Sequence, residues 1–418
     1  MKLIERIANL TSQLIGVTNF KDTARKKPEY FTRNRKMPFE DLILFMIFSL
    51  KGSTSTALRR FFGGFGKNTI TMTQQSLSEA RSKINVWAFV HLFELSAKVM
   101  TEHCFEKWHG YRVYAIDGSR IALPPDEKLS KYFGALGKDK TAPTALGSIL
   151  YDVPNDIICD ATIEPISVDE RTLAKKHIEA CKGIAPDEKK LIIFDRGYPS
   201  IELIEMLENE GISYVMRVRR KFSNDIDAQT KTDAYVWLEQ KTKRIHVRVI
   251  KFTLNSGEEE VLITNITDRR MGKNAFKKLY FMRWPVETKY DIVKNKLQLE
   301  NFNTRTVEGI GQDFFAAMYL ANCAASALVD VQDDINAVRV EKDNKYQYKA
   351  NINELIGILK DRFVFAIAQN DVKVQETMIS SILEEIKRHV VPVRPERTVP
   401  RNSSPRKAKF RHNKKANC

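Results

Sequence analysis

Four side chains suited to phosphate chemistry, Tyr280, Arg283, Glu287 and Lys294, fall in the single stretch YFMRWPVETKYDIVK at offsets of 0, 3, 7 and 14. Those offsets keep side chains on one face of a helix. Pro285 interrupts the spiral, because it cannot donate to residue 281 and crowds that carbonyl. If Pro285 is instead the first residue of a second helical segment, its missing N–H costs nothing there and Glu287 lands in the first turn. A carboxylate fixed at a helix start, with a lysine two turns further on, could hold a metal ion beside a DNA phosphate. A plain charged surface helix is the competing reading, and a metal site needs more acids than this stretch supplies.

Two further acids stand at the ends of apolar runs. Tyr111 to Ile116 reads as a buried strand ending at Asp117-Gly118-Ser119, and Leu191 to Phe194 repeats the device, followed by Asp195 and Arg196-Gly197. Ligands of such sheets collect outside the carboxyl ends of the strands. Three carboxylates in a basic protein match what two-metal phosphoryl transfer requires, with oxygen ligands for Mg²⁺ or Mn²⁺ and a pair of ions about 4 Å apart. Histidines are not clustered for zinc, no G-x-x-x-x-G-K-[ST] occurs, and nucleophilic Ser or Cys catalysis has no visible supporting neighbourhood. These residues alone predict a metal-dependent nuclease or strand transferase acting on DNA.

The elements that must position these acids can be read around them. The chain has 418 residues, enough for two or three domains, with 43% hydrophobic residues and 68 Lys plus Arg against 52 Asp plus Glu, a net charge of +16 that favours a polyanionic partner. Five scattered cysteines without a CxxC pair suggest neither a disulfide framework nor a zinc knuckle. MKLIERIANL reads as an amphipathic helix start without a signal-peptide cleavage site, and the apolar runs Leu42 to Leu50 and Phe314 to Val329 fall short of a membrane span, so a soluble, cytoplasmic protein is expected.

Residues 1–108 should be helical, with a buried helix in PFEDLILFMIFSL closed by turn chemistry at Lys51-Gly52-Ser53-Thr54. A second helix through Phe61 and Phe62 ends at Gly63-Gly64. In TMTQQSLSEARSKI, the side chains of Thr73, Gln74, Gln75, Ser78, Arg81 and Lys83 suit DNA contacts, although a solvated helix of a small bundle is the plainer reading. ALGSILYDV and DIICDATIEPI form a hairpin, and a helix capped by Ser167 or Asp169 runs to about Cys181. Residues 218–278 read as a β-rich insertion with a turn at Asn255-Ser256-Gly257, in which Arg244, His246, Arg248 and Lys251 would form a basic stripe. Phe314 to Val329 should be a buried helix closing the sheet, residues 331–390 are helical, and residues 391–418 hold nine Lys or Arg against Glu396 alone, a basic disordered tail.

The spacing Tyr280-x2-Arg283-x3-Glu287-x6-Lys294 resembles the YREK signature of DDE transposases of the IS4 family. AIDGSRIALP around Asp117, IIFDRGYPS around Asp195, LITNI before the signature and the pair Arg283-Trp284 agree with it in order. The resemblance covers roughly residues 70–330. It implies an α/β fold: an RNase H-like catalytic core in two parts, 109–217 and 279–330, interrupted by a β-strand insertion at 218–278, with a helical N-terminal region at 1–108 for DNA ends and a helical C-terminal region at 331–390 for dimerisation.

Laid on this sequence, the resemblance makes Asp117, Asp195 and Glu287 the catalytic, metal-binding triad, with two Mg²⁺ or Mn²⁺ ions as cofactor. Tyr280, Arg283, Trp284 and Lys294 become DNA contacts that position the transposon end without reading it. In the insertion an aromatic residue can stack on a flipped base; Trp237 and Trp284 are available, with core burial the expected role of each. The implied partners are the terminal inverted repeats and target DNA, with a homodimer in the synaptic complex, no membrane, and a nucleoid-associated location in a bacterial cytoplasm. The implied activity is cut-and-paste transposition. A catalytically inactive, transposase-derived DNA-binding protein and an RNase H-like cellular nuclease are the alternatives.

Overall fold

The computed structural model describes residues 1–33, 35–48, 53–137, 142–240, 243–254, 257–340 and 346–394. The expected turns at Lys51-Gly52 and Asn255-Ser256, and the expected tail beyond Arg394, lie outside the described residues. Six helices come first: α1 (Leu3–Gly16), α2 (Thr18–Ala24), α3 (Phe39–Phe48), α4 (Thr54–Gly64), α5 (Gln74–Ser82) and α6 (Trp87–His103). Strands and helices then mix: β1 (Arg112–Ala122), α7 (Glu127–Phe133), β2 (Ala135–Leu136), β3 (Ala142–Asp152), β4 (Ile157–Pro165), α8 (Glu170–Gly183), β5 (Lys190–Phe194), α9 (Ile201–Asn209), β6 (Ser213–Arg217) and α10 (Asn224–Ala228). After β7 (Asp233–Gln240), β8 (Lys243–Thr253) and β9 (Glu259–Thr264) come α11 (Lys273–Phe281), α12 (Pro285–Asp291) and a π-helical turn, Ile292–Lys296. The chain continues through α13 (Val307–Val340), β10 (Tyr348–Ala350), α14 (Ile352–Ile358), a second π-helical turn at Leu359–Phe363, α15 (Val364–Ile367), α16 (Val372–Arg388) and β11 (Val390–Pro392).

The chain divides into two compact units. The first comprises Met1–Met100, Ala122–Pro143 and the chain from Ile292 on. Its centre is α13, against which α1, α3 and α16 pack. Asp330 on α13 fixes the start of α1 by accepting the N–H groups of Leu3 and Ile4 at 2.8 and 2.9 Å, two donors that a helix N-terminus leaves unpaired. By length and composition α13 could cross a membrane, but 78% of its most apolar window is buried inside the protein. Within the first unit this helix, expected as a buried one, also packs against the short strand β10. α3 is buried from Leu42 to Phe48. Its Phe45 and Phe48 join Phe61, Phe65 and Phe365 in edge-to-face contacts. Gly64 makes room for that cluster, since a Cβ there would lie 2.1 Å from the Phe365 ring.

Two expectations change in this unit. Arg81, expected on a solvated helix or as a DNA contact, is buried, with Asp313 at 2.9 Å and Gln312 at 2.7 Å. The start of the expected tail is also structured, because β11 pairs antiparallel with β10.

The second unit, Thr101–Ile121 and Thr144–Asp291, carries most of a mixed sheet. Among the described residues the strand order is β2-β3-β1-β5-β6-β9-β8-β7, with β4 also on β3. The centre is parallel, β1 with β5 and β5 with β6. Both central strands are near-continuous apolar runs because both faces are covered. α11 covers one face, where Phe276, Leu279 and Tyr280 pack with Val113, Leu191, Ile193 and Val215. The segment expected as an insertion extends this same sheet: β9 pairs with β6, β8 with β9 and β7 with β8.

The expected basic stripe on β8 breaks up. Arg248 is buried, paired with Asp233 at 2.6 Å, and Lys251 is buried, donating to the Gln229 carbonyl. Arg244 and His246 of that set stay exposed, whereas Arg248, on the same face of β8, is covered by the segment that supplies the Ile266, Asp268 and Met271 carbonyls it donates to.

Candidate active site

The two strand-associated aspartates stand level. β1 and β5 are in register from Arg112↔Lys190 to Ala115↔Ile193, and Asp117 and Asp195 each come two residues after the last pair. Adjacent strands lie about 4.8 Å apart and side chains alternate faces, so both acids share the face that carries Val113, Leu191 and Ile193, the face under α11. β1 does not end at Asp117 as expected but runs on to Ala122; its parallel pairing with β5 ends at Ala115, two residues before Asp117.

Glu287 arrives from the other side of the break in the helix. α11 stops at Phe281, a turn carries Met282 to Trp284, and Pro285 opens α12, so the four spaced side chains do not lie on one continuous helix. Pro285 takes the first helical position, where no N–H is needed, and Glu287 stands in the first turn. One turn later Tyr290 Oη lies 2.9 Å from the Asp117 carbonyl oxygen and 3.1 Å from that of Gly147, donating its single proton between them. This tie holds α12 against β1 and β3 and brings Glu287 toward Asp117.

The acids are held by a cation and a phenol from the same stretch. Arg283 Nη2 donates to Glu287 Oε1 at 2.9 Å, and Tyr280 Oη donates to Asp195 Oδ1 at 3.1 Å. Arg283 is 7% exposed and faces the acids; it was expected as a phosphate contact. Burial pushes the Asp117 carboxyl up to about 7; the Arg283 charge opposes this, while Glu287, Glu170 and Asp195 add to it. Trp284 is 48% exposed and Trp237 45%, both against the expected core burial. Trp284 lies on the turn outside the helix core, and Trp237 on the outer side of β7, with the Arg244 guanidinium 4.4 Å from its ring. Lys294 lies in the first unit, in the π-helical turn, with Nζ 4.0 Å from a Glu300 carboxylate oxygen.

Sequence reasoning missed three members of this neighbourhood. Tyr290 is in the same quoted stretch, at helical spacing from Glu287, and that spacing was the available signal. Glu170 was read only as part of a helix start, and Tyr198 only as part of the motif around Asp195. A Ser-His-Asp relay also exists where none was visible: His177 Nδ1 is 2.7 Å from Asp160 Oδ2 and Nε2 is 3.0 Å from Ser148 Oγ. Ser148 is 1% exposed, so no substrate can reach it, and the relay instead joins α8 to β3 and β4.

Among the described residues no three His, Cys, Asp or Glu side chains are gathered tightly enough to hold a metal ion as they stand. The donor set fits a hard divalent cation in its chemistry: Asp117, Asp195 and Glu287 offer carboxylate oxygens only, and their mutual repulsion is already answered by one positive group, Arg283. Asp195 and Glu287 are engaged by Tyr280 and Arg283 as they stand.

A mixed sheet with acids at its parallel centre and a broken helix delivering a third agrees with the sequence family. The chain belongs to the family defined by the transposase DDE domain, whose model matches residues 108–323. It is similar to the Escherichia coli (strain K12) protein named "Putative transposase InsZ", 23% identical over 186 residues, 43% of this chain and 60% of that protein, so the chain matches less than two thirds of that relative. Among solved structures it is similar to a chain of the piggyBac transposase synaptic complex with hairpin DNA, at a TM-score of 0.48 and 9% identity, covering 96% of this chain and 88% of that one; the likeness is too remote to define the fold.

Proposed function

We propose that this protein is a DNA transposase of the IS4 type, an RNase H-like enzyme that excises and inserts an insertion sequence by divalent-metal-dependent phosphoryl transfer. The observation that carries the reading is the placement of Asp117, Asp195 and Glu287, two level strand-associated acids and one from α12, within the electrostatic reach of the buried guanidinium of Arg283. Asp117, Asp195 and Glu287 would hold Mg²⁺ or Mn²⁺, two ions being the number such chemistry uses. Bound there, the cation supplies activation of the attacking oxygen and charge stabilisation of the leaving one.

This chain's own residues do the positioning. Tyr290 sets Glu287 against Asp117, Tyr280 orients Asp195, and Arg283 offsets the repulsion among the acids before the cation binds. Trp284, exposed beside Arg283 in the sequence, is a further candidate for contact with DNA, and Lys294 is another. Each chemical step is an in-line displacement at phosphorus. Water attacks at the element's end and frees a 3′-hydroxyl, which attacks the opposite strand to form a hairpin. The hairpin is reopened, and the 3′-end then attacks target DNA. Two ends must be held together, so the working form is a homodimer on the terminal inverted repeats, in the bacterial cytoplasm.

The test is cleavage of a labelled duplex carrying the inverted repeats that flank the gene, with Mg²⁺ and with EDTA. Metal-dependent nicking at the repeat boundary, lost in Glu287→Gln while DNA binding persists, is the expected result. Binding without cleavage by folded wild type in Mg²⁺ and Mn²⁺ would instead mark a non-catalytic derivative, and cleavage indifferent to the repeats a general nuclease.

A further inference from the structure

Glu170 opens α8, and its carboxylate lies between the two segments that carry Asp117 and Asp195. An ideal Cβ built on Gly118 would stand 3.2 Å from Glu170 Oε1, and one built on Gly197 4.0 Å from Glu170 Oε2. The two glycines that follow the strand acids thus leave open the space in which this carboxylate sits. Glu170 also contributes to the raised proton affinity of Asp117. No hydrogen-bond donor or cation of the described residues is paired with it, unlike Asp195 and Glu287.

Its placement is enforced from below. Two turns along the same helix face, His177 is fully buried and held at both ring nitrogens, by Asp160 on β4 and Ser148 on β3. Arg171, next to Glu170, donates from Nε to the Gly197 carbonyl at 3.3 Å. The start of α8, and with it the backbone of the exposed Glu170, is positioned by the sheet in this way.

A second, separate observation points to a ligand. Tyr198 is 2% exposed, and its hydroxyl has no hydrogen-bond partner among the described residues. Burial raises its proton affinity most, and Asp117, Glu170 and Asp195 add to this while Arg283 opposes it, so the orphaned hydroxyl lies within electrostatic reach of all three carboxylates. A buried hydroxyl left unpaired costs about 1–3 kcal/mol, a cost that a bound oxygen group would remove.

We propose that Glu170 is a fourth carboxylate of this site, lending an oxygen beside Asp117 and Asp195 to a divalent cation, with the Tyr198 hydroxyl hydrogen-bonding an oxygen group held there. The inference rests on the transposase reading of the triad, and the test separates the two.

Mn²⁺ is titrated into the full chain and the free ion followed by electron paramagnetic resonance, alongside thermal unfolding with and without Mn²⁺. Glu170→Gln should weaken Mn²⁺ binding on the order of tenfold and shrink the Mn²⁺-induced rise in Tm. Tyr198→Phe should weaken binding two- to threefold by a rough estimate for the removal of one hydrogen bond, and Glu179→Gln, on the exposed side of the same helix, should leave it unchanged. A merely structural Glu170 would lower Tm equally with and without Mn²⁺. Glu170→Gln binding Mn²⁺ like wild type while Asp117→Asn does not would overturn the inference and leave the triad standing. Wild-type binding in Asp117→Asn and Glu287→Gln would overturn both. If Glu170→Gln folds poorly, Glu170→Asp must show the same reduced Mn²⁺ response, or the proposal fails.

Discussion

Asp117 is a buried carboxylate with three other carboxylates and one guanidinium within electrostatic reach. Its carboxyl is pushed up to about 7 by burial first, against the pull of Arg283, whereas the ordinary value is about 3.9. Between about pH 4 and pH 7 the folded cation-free protein therefore holds a proton that the unfolded chain has released. Folding stability contributed by this group must fall as pH rises across that window, and the loss is complete above it. Asp117→Asn should accordingly be more stable than wild type at pH 8 in EDTA, with the gain vanishing near pH 4. Urea unfolding of both proteins at a series of pH values reads this directly, and a difference that grows toward low pH would contradict it. Tyr290 makes a different prediction. Tyr290→Phe removes the tie from α12 to the Asp117 and Gly147 carbonyls, costing about 1 kcal/mol of stability. Because that tie aims Glu287, the rate of end cleavage should drop more than DNA affinity, as single-turnover kinetics beside a binding titration would show.

At the scale of elements, the site depends on β1 being held rigidly beneath it. At the start of β1 Arg112 is buried and donates from Nε to Asp152 at 2.5 Å and from Nη1 to the Thr101 carbonyl at 3.1 Å. Asp152 in turn accepts from the Asn155 side chain at 2.8 Å. Removing one partner of a buried ion pair strands the other charge, so Asp152→Ala should cost about 3–5 kcal/mol, while Asp152→Leu combined with Arg112→Met should recover much of it. Denaturant midpoints for the single and double variants decide the matter; equal losses in both would mean that the pair is not what anchors the strand. The break between α11 and α12 is the other decisive element. A helix continued through residues 282–284 would carry Glu287 on with the turn of α11, whereas the restart at Pro285 lets Tyr290 dock on β1 and β3.

At the scale of the whole molecule, the net charge of +16 is not spread evenly, since residues 395–418 hold eight Lys or Arg against Glu396. Several cations elsewhere that looked available are spent internally, Arg81 on Asp313 and Arg248 on Asp233 among them. Non-specific DNA binding should therefore depend strongly on that last segment. A chain ending at Arg394 should bind DNA more weakly, with the slope of log affinity against log salt reduced by about 0.9 for each phosphate no longer neutralised. Measuring that slope by fluorescence anisotropy for both lengths tests the point, and an unchanged slope would assign phosphate binding to the two units instead.

The amino-acid sequence by itself determined what depends on near neighbours. The buried runs before Asp117 and Asp195, the restart of the helix at Pro285 with Glu287 in its first turn, and the helix beginning near Asp169 are written in local pattern, and each is where that pattern puts it. Only the tertiary structure decided which charges are solvated and which acids meet. Periodicity does not distinguish Arg81 or Arg248 from an exposed cation, because their partners Asp313 and Asp233 lie on other elements. Nor could it show that Trp237 faces outward, that the strands after β6 extend the same sheet, or that Glu170 lies between the Asp117 and Asp195 segments. These are consequences of strand register and helix docking between residues far apart in the chain, and a local pattern fixes a side chain's face without fixing what that face will meet.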